Sequence, residues 1–310
     1  MALAFHLLAH KDPAQLGRLL HALWAPDNIY VIHYDRRRPS AEHGAVAALA
    51  DGRRNVVVQP STAVLWGRFS LIRAQLAGLE LALHHPQPWT HWINLSGQCF
   101  PLHPAAEIQR RLQAAGTASF VRHFDPLGPD SNWARPAGRL DRQRLDLPWL
   151  EWCLRLPGLG RRLRRFFGGA SAIPSLPRLR PRPTPWFHWY GGDNWVVLSR
   201  GAAAQMLSPA GRAIAAWFRG TAFPEESVFQ TVVLNAPAAG PVHNDHLRCI
   251  NWIANLASPQ NFRATDLPRL LAGAANGALF ARKFDPTVDP VILDALTARV
   301  TTTATPSAFR

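Results

Sequence analysis

The hydrophobic positions of the first 125 residues switch between short continuous runs and a helical period. Residues 2–9 (ALAFHLLA) and 28–35 (NIYVIHYD) are continuous apolar runs, which are typical of strands buried on both faces. Apolar side chains then recur at helical spacing, at Leu16, Leu19, Leu20, Leu23 and Trp24. The same alternation continues with strands at 55–59, 90–95 and 118–124 and helices at 70–84 and 105–115. It predicts an α/β fold with a mostly parallel central sheet flanked by helices.

Polar residues follow several of these predicted strands. His10, Asp35 and residues 96–98 (SGQ) each come directly after an apolar run. Ligands of open parallel sheets bind beyond the carboxyl ends of the strands, so these residues are candidates for a binding site. No GxGxxG or GxxxxGK[ST] sequence follows any strand, which disfavours a dinucleotide or P-loop site.

The pattern is lost between residues 125 and 185, which are rich in Arg, Pro and Gly. We interpret this stretch as an insertion into a single domain spanning residues 1–300, followed by a disordered tail at 301–310. Aromatic residues at 149–152 and 163–167 interleave with arginines, as in a basic surface that contacts a membrane or nucleic acid. A solvated loop whose aromatic residues pack back on the domain is the alternative.

Regular patterns return after residue 185. They predict a strand at 189–200, a following helix, a helix at 224–235 (PEESVFQTVVLN), ordered segments at 246–252 and 279–285, and a C-terminal helix at 290–300. In the 224–235 helix, Glu225 and Glu226 lie in the first turn beside the apolar stripe. Either could act as a general base, or simply complement the helix dipole. Helix geometry alone does not choose between them.

The composition points to an anionic ligand or partner. The chain has 310 residues, of which 47% are hydrophobic, and a formal net charge of +14. Lysine occurs only at positions 11 and 283. The three cysteines lie far apart without a CxxC pair, and no apolar run is long enough to span a membrane. We therefore expect a cytoplasmic protein, peripheral at the inner face of the membrane if the basic surface binds lipid.

Seven motifs in a fixed order resemble the Branch-domain glycosyltransferases, which include core-2/I-branching β-1,6-N-acetylglucosaminyltransferases and peptide O-xylosyltransferases. They are IHYD at 32–35, WGRFSLIRA at 66–74, INLSGQCFPL at 93–102, GGDNWVVLSR at 191–200, PEESVFQTVVLN at 224–235, HLRCINW at 246–252 and LFARKFD at 279–285. The resemblance runs from about residue 3 to residue 295. It implies a GT-A-like fold, a UDP-sugar donor, inversion at the anomeric carbon and independence from a divalent metal. The chain has no Asp-x-Asp sequence, in agreement with that last expectation.

The resemblance also assigns roles to residues. Glu226 aligns with the catalytic base, and Asn194 and Trp195 align with a position near the acceptor. The donor-binding set, with the strand-end His10 included, is His10, Asp35, Trp66, Gly67, Arg248, Arg282 and Lys283. Arginine and lysine would stabilise the charge of the departing UDP in place of a metal. We expect no cofactor and no metal; the partners are a UDP-sugar, a glycan or glycoconjugate acceptor and, peripherally, the membrane surface.

Two other classes of protein are alternatives to a glycosyltransferase. A non-catalytic protein that binds nucleic acid or a membrane surface would account for the charge. It would not need a carboxylate base beside a phosphate clamp, which here means the cations Arg248, Arg282 and Lys283. We therefore expect no nucleic-acid partner. A glycosidase needs two carboxylates separated across the sugar, which two adjacent glutamates do not provide. Asn194 stands where peptide xylosyltransferases carry Asp, so the donor sugar and the acceptor stay open.

Overall fold

A mostly parallel sheet forms the centre of the fold. The computed structural model describes residues 1–129, 131, 133, 136–144, 153, 175–177, 184–253 and 258–301. Within these residues the strands are β1 (Ala2–Ala9), β2 (Ile29–Tyr34), β3 (Val56–Val58), β4 (Trp89–Ser96), β5 (Cys99–Pro101), β6 (Ser119–Phe124), β7 (Arg142–Arg144), β8 (Ser175–Pro177), β9 (Gly191–Ser199), β10 (Val242–His243), β11 (Arg248–Ile250) and β12 (Phe280–Arg282). Seven described strands form the main sheet in the order β10-β6-β9-β4-β1-β2-β3. Strand β9 runs antiparallel to both of its neighbours, and the other pairs are parallel. The predicted α/β fold is confirmed, and it is consistent with a GT-A-like architecture.

Helices cover both faces of this sheet. They are α1 (Pro13–Ala22), α2 (Ser40–Ala48), α3 (Phe69–His84), α4 (Ala105–Ala114), α5 (Arg200–Leu207), α6 (Pro209–Trp217), α7 (Val228–Leu234), α8 (Leu267–Ala275) and α9 (Pro290–Thr301). Alternate residues of β1 enter two separate hydrophobic cores: Leu3, Phe5 and Leu7 belong to one, and Ala2 and Ala4 to the other. Burial on both faces explains why this strand reads as a continuous apolar run.

A small second sheet brings the C-terminal part of the chain to the main sheet. Strand β12 pairs in parallel with β11 and antiparallel with β5, which begins three residues after β4 ends. Arg282 of β12 lies opposite Cys99 of β5. The end of β12 therefore lies beside the carboxyl end of β4, although the two are far apart in sequence.

The predicted helix over 224–235 is wrong in its first turn. The chain forms a 3₁₀ turn at Pro224–Glu226 and begins the α-helix α7 only at Val228. Ser227, between them, has φ −140° and ψ −40°, which is not a helical conformation. The Ser227 hydroxyl accepts a hydrogen bond from the Trp189 indole N–H at 3.0 Å. This tertiary contact holds the chain at the break, so the two glutamates lie outside the α-helix.

Part of the predicted insertion is described and packs on the domain. A 3₁₀ turn at Pro136–Arg139 leads into β7, which pairs with β8. The backbone N–H of Ala222 donates to the Arg139 carbonyl at 3.0 Å, which joins this turn to the segment before the two glutamates. The aromatic and basic stretch at 149–167, apart from position 153, lies outside the described residues. Residues 302–310 of the predicted tail do too, and Thr301 belongs to α9.

Candidate active site

A cleft of about 540 Å³ opens at the carboxyl ends of β1, β2 and β4. Seven of the ten predicted site residues line it: His10, Asp35, Trp66, Asn194, Trp195, Glu226 and Arg282. Gly67, Arg248 and Lys283 are not among its lining residues. Desolvation in the cleft and the positive charges of Lys11 and Arg282 lower the pKa of His10, so its ring is neutral at pH 7.

Glu226 forms an ion pair with a residue that sequence reasoning missed. The Arg139 Nη2 atom lies 2.7 Å from the Glu226 Oε2 atom. The Arg139 guanidinium also lies 3.5 Å from the centre of the Trp133 ring and 5.2 Å from that of Phe223. These aromatic contacts fix the guanidinium beside the carboxylate. Arg139 lies in the aperiodic 125–185 stretch, where no sequence pattern pointed to it.

The surroundings of Glu226 act on its pKa in opposite directions. Desolvation raises the pKa of this carboxyl, and the negative charge of Asp193 adds to that effect. The charge and the hydrogen bond of Arg139 oppose it, but the net direction is upward from the ordinary value. A third of the side chain is exposed to the cleft. Glu226 therefore combines access to a substrate with a raised basicity, as a general base requires.

Glu225 has a different environment from its neighbour. It also lines the cleft, but it is only 4% exposed. Burial, and then repulsion from Glu226, raise the pKa of Glu225 to about 8, while a hydrogen bond from the backbone of Gly67 opposes the shift. Glu225 is therefore mostly protonated at pH 7. The structure thus separates two carboxyls that the sequence could not tell apart.

Trp66 and Gly67 join the loop before α3 to the turn that carries the glutamates. The Gly67 carbonyl accepts a hydrogen bond from the Phe223 N–H at 3.2 Å, and Trp66 packs edge-on against the Phe223 ring at 4.8 Å. Gly67 has φ +67°, a conformation that glycine adopts without strain. Trp66 is 58% exposed at the mouth of the cleft. The Gly67 backbone therefore holds the turn that carries the glutamates, and Trp66 lines the cleft.

Asp35 lines the cleft with its acceptor positions already used. Its Oδ1 atom accepts from the Arg37 backbone N–H at 2.9 Å and from Arg37 Nε at 3.0 Å. Its Oδ2 atom accepts from Arg37 Nη2 at 2.8 Å and from the Val64 N–H at 3.2 Å. Burial alone would raise the pKa of Asp35, but these bonds hold it below its usual value. Because a carboxylate accepts about four hydrogen bonds, a nucleoside contact by Asp35 would require Arg37 to move.

Arg282 is the cation of the predicted clamp that reaches the cleft directly. Its Nη1 atom donates to the Ser96 hydroxyl at the end of β4, and its guanidinium lies 4.7 Å from the centre of the Trp195 ring. Lys283 lies one contact further away, and its ammonium group donates to Ser258, a lining residue, at 3.3 Å. Burial and the positive charge of Arg282 lower the pKa of Lys283.

The predicted donor contact of Arg248 is not supported by the structure. Arg248 is 6% exposed. Its guanidinium donates to the backbone carbonyls of Asn94 at 2.9 Å and Val196 at 3.1 Å, and also to that of His246. Burial lowers the pKa of Arg248 to about 10. The side chain ties β11 to strands β4 and β9.

Asn194 and Trp195 lie on β9 at the inner wall of the cleft. The Asn194 side-chain oxygen accepts from Gln75 Nε2 at 2.9 Å, and its carbonyl accepts from Asn94 Nδ2 at 2.6 Å. The first bond holds the side-chain amide of Asn194, and the second holds its backbone at the cleft wall. Trp195 lies against Arg282, on the side of the predicted phosphate clamp. Trp195 therefore lies next to Arg282, one of the predicted donor-binding residues.

The described residues form neither a metal-binding cluster nor a membrane-spanning helix. No group of three or more His, Cys, Asp or Glu side chains in the described ranges is arranged to hold a metal ion. No helix in the same part of the chain has both the length and the apolar character needed to cross a bilayer.

The chain belongs to the Core-2/I-Branching enzyme (Branch) family, a glycosyltransferase family, whose model matches residues 3–270. Among individual proteins, it is 26% identical over 299 residues to Xylosyltransferase oxt of Drosophila pseudoobscura pseudoobscura. The matched region covers 90% of this chain and 31% of that protein. It is 28% identical over 314 residues to Xylosyltransferase 2 of Canis lupus familiaris and of Homo sapiens, with 95% of this chain and 33% of each relative covered. The chain thus spans about a third of the length of the curated relatives it matches. The resemblance seen in the sequence motifs is confirmed.

Proposed function

We propose that this chain transfers a sugar, xylose or N-acetylglucosamine, from a UDP-sugar to a hydroxyl of a glycan or glycoconjugate acceptor. The observation that carries this proposal is the shared cleft of Glu226 and Arg282, a carboxylate of raised basicity and a guanidinium in one pocket. A transfer reaction needs both a group that accepts a proton and a group that stabilises the leaving phosphate. The family of the chain supports the same reaction class.

The proposed mechanism is a single inverting displacement. Glu226 takes the proton of the acceptor hydroxyl as that oxygen attacks the anomeric carbon. The bond between this carbon and the phosphate oxygen breaks, and UDP leaves with the electron pair. Arg282 stabilises the charge that develops on the phosphate, with Lys283 at longer range. Because cations of the chain supply this stabilisation, we propose that no divalent metal is needed.

Arg139 keeps the proposed base ready for this step. Its positive charge favours the ionised form of Glu226 against desolvation. Proton transfer to Glu226 neutralises the carboxylate, so the ion pair is strongest before transfer and weakest after it. Arg139 thus lowers the pH above which Glu226 is ionised.

The donor and the metal requirement can be tested in one screen. Purified protein is incubated with UDP-xylose, UDP-N-acetylglucosamine or UDP-glucose, alone and with simple sugar and peptide acceptors, with and without EDTA. We expect release of UDP with one of the first two donors, at the same rate in EDTA. Activity that EDTA abolishes and Mn²⁺ restores would contradict the metal-free mechanism. DNA retention that salt abolishes, without affinity for any UDP-sugar, would instead support a nucleic-acid-binding protein.

The proposal also includes where the protein acts in the cell. We propose that the protein acts in the cytoplasm and contacts the inner face of the membrane at its periphery. The net charge of +14 supports an attraction to anionic lipid. A vesicle sedimentation assay with and without phosphatidylserine tests this contact, and equal sedimentation with neutral vesicles would contradict it.

A further inference from the structure

Glu225 is a buried carboxyl at the cleft that the proposed mechanism does not use. The side chain is 4% exposed, lines the cleft, and comes directly before Glu226 in the same 3₁₀ turn. Its Oε2 atom has no hydrogen-bond partner among the described residues. Leaving a buried polar atom unpaired costs free energy, so such an atom at the wall of a ligand cleft points to a ligand.

The neutral form of this carboxyl can use Oε2 as a donor. The backbone N–H groups of Gly67 and of Glu225 itself act on the carboxyl in the direction that favours its charged form. Oε2 has no partner in the described part of the chain. A neutral carboxyl carries one O–H donor, and on Oε2 that proton is available to a ligand.

The charges around Glu225 favour its neutral form. Burial disfavours the carboxylate, and the adjacent Glu226 adds repulsion, whereas Arg139 acts in the opposite direction. Of the elements packed against this turn, β9 contributes Asp193, whose negative charge acts on Glu226, and α7 carries no charged residue. Helix α3 follows the buried Arg68 and carries Arg73, Glu80 and His84. The main causes of the pKa shift of Glu225 include none of these four residues. Arg139, the cation that acts on Glu225, already forms an ion pair with Glu226.

The position of Glu225 in the cleft determines which part of the ligand it contacts. Exposure falls from 58% at Trp66 on the rim to 4% at Glu225. In the proposed reaction the phosphates lie at Arg282 and the acceptor hydroxyl lies at Glu226. The donor sugar must then lie between these two groups, because its anomeric carbon is bonded to one and attacked at the other. The carboxyl next to Glu226 on the buried side is therefore placed for the donor sugar.

We propose that Glu225 is a neutral carboxylic acid that donates a hydrogen bond from Oε2 to a hydroxyl of the donor sugar. It recognises the sugar and leaves the nucleotide to other residues. This inference rests on the proposed function, since it requires a UDP-sugar in the cleft. It makes two adjacent glutamates perform opposite tasks, one accepting a proton and one holding it.

The test compares sugar and nucleotide binding in matched variants. Calorimetry measures the affinities of wild type, Glu225→Leu and Glu225→Gln for UDP, UDP-xylose and UDP-N-acetylglucosamine. Leucine removes the donor, whereas the glutamine amide keeps an N–H donor at every pH. For the UDP-sugar that wild type binds, we expect Glu225→Leu to lose about 2- to 10-fold in affinity, as for one neutral hydrogen bond, and to bind UDP as wild type does. Glu225→Gln should bind the UDP-sugar about as tightly as wild type near neutral pH.

The pH dependence separates a hydrogen-bond donor from a packing role. Raising the pH from about 6 to about 9 should weaken binding of the UDP-sugar to wild type more than binding to Glu225→Gln, because only the carboxyl loses its proton. Parallel pH curves for these two proteins would overturn the inference, even if Glu225→Leu does not fold. So would a Glu225→Leu variant that keeps wild-type UDP-sugar affinity, or one that folds and loses UDP and UDP-sugar affinity equally. Failure of wild type to bind any UDP compound would instead overturn the proposed function.

Discussion

The guanidinium of Arg139 and the carboxylate of Glu226 form an ion pair with an Nη2 to Oε2 distance of 2.7 Å. The two residues come from parts of the chain that share no motif, since Arg139 belongs to the aperiodic 125–185 stretch. The contact depends on tertiary packing: Trp133 and Phe223 hold the guanidinium between them, and the Ala222 N–H joins the backbone of its turn to that of the glutamate segment. The proposed base is thus paired with a segment outside the motifs that carry the family resemblance.

Replacing Arg139 by Met should shift the acidic limb of the pH profile for turnover to higher pH. Arg139 lowers the pKa of Glu226, so removal of its charge raises that pKa and reduces the ionised fraction at any pH below it. The loss of rate should therefore be largest at low pH and smallest at high pH. The control is Arg110→Met. Arg110 is an exposed residue of α4 that does not line the cleft. A uniform loss of rate at all pH values would argue against control of the base.

Replacing Glu226 by Gln should reduce turnover by about 10²–10⁴-fold, the usual contribution of a general base. Glutamine keeps the size of the side chain but cannot take the proton, so UDP affinity should stay close to that of wild type. Glu80→Gln, at an exposed surface pair with Arg212, controls for the loss of one carboxylate. Single-turnover rates measure the effect. Near wild-type turnover in Glu226→Gln would show that the base is another residue.

Replacing Arg282 by Ala should weaken UDP binding by roughly 10- to 100-fold, as expected for one charge-assisted contact. Lys283→Ala should have a smaller effect, because Lys283 reaches the cleft only through Ser258. Arg18→Ala removes a surface arginine paired with Asp294 and should leave UDP affinity unchanged. Calorimetry with UDP gives all three values. A larger loss of UDP affinity in Lys283→Ala than in Arg282→Ala would show that Lys283 makes the stronger contact with UDP.

Replacing Arg248 by Met should lower the stability of the fold while leaving the UDP affinity of the folded protein close to wild type. The change deletes hydrogen bonds to the buried carbonyls of Asn94 and Val196, and each unsatisfied group costs about 1–3 kcal/mol. Denaturant unfolding and calorimetry measure the two properties separately. A stable variant with weakened UDP binding would restore Arg248 to the donor site.

Glu225→Gln should stabilise the protein increasingly as the pH rises. The pKa of Glu225 is raised in the folded state, to about 8 from 4.5. Between these values the unfolded carboxyl loses its proton while the folded one keeps it, so wild-type stability falls as pH rises through this window. Glutamine does not titrate, and its advantage should grow from about pH 4.5 to about pH 8 and reach a few kcal/mol. Thermal unfolding at several pH values measures it; a difference between the two proteins that does not change with pH would contradict the prediction.

Local pattern predicted most of the strands and helices, but it did not predict α2 or α8. Continuous apolar runs identified β1 and β2, because a strand buried on both faces has no polar side. Helical spacing identified α1 and α3. The strand ends with His10 and Asp35 located the cleft, because the carboxyl ends of parallel strands meet at one edge of the sheet. Position along a motif, however, could not reveal that Arg248 is buried or that Asp35 is already saturated by Arg37.

The chemistry of the two glutamates was decided by tertiary structure. In sequence, Glu225 and Glu226 are identical carboxyls one residue apart, and neither periodicity nor helix position distinguished them. The break at Ser227 and the approach of Gly67 and Arg139 give one a buried, neutral environment and the other a half-exposed ion pair. Desolvation and charge act over a few ångströms in space, whatever the separation along the chain. The sequence by itself therefore determined most of the strands and helices and the sheet edge at which the cleft lies, and the packing of distant segments determined the different environments of the two carboxyls.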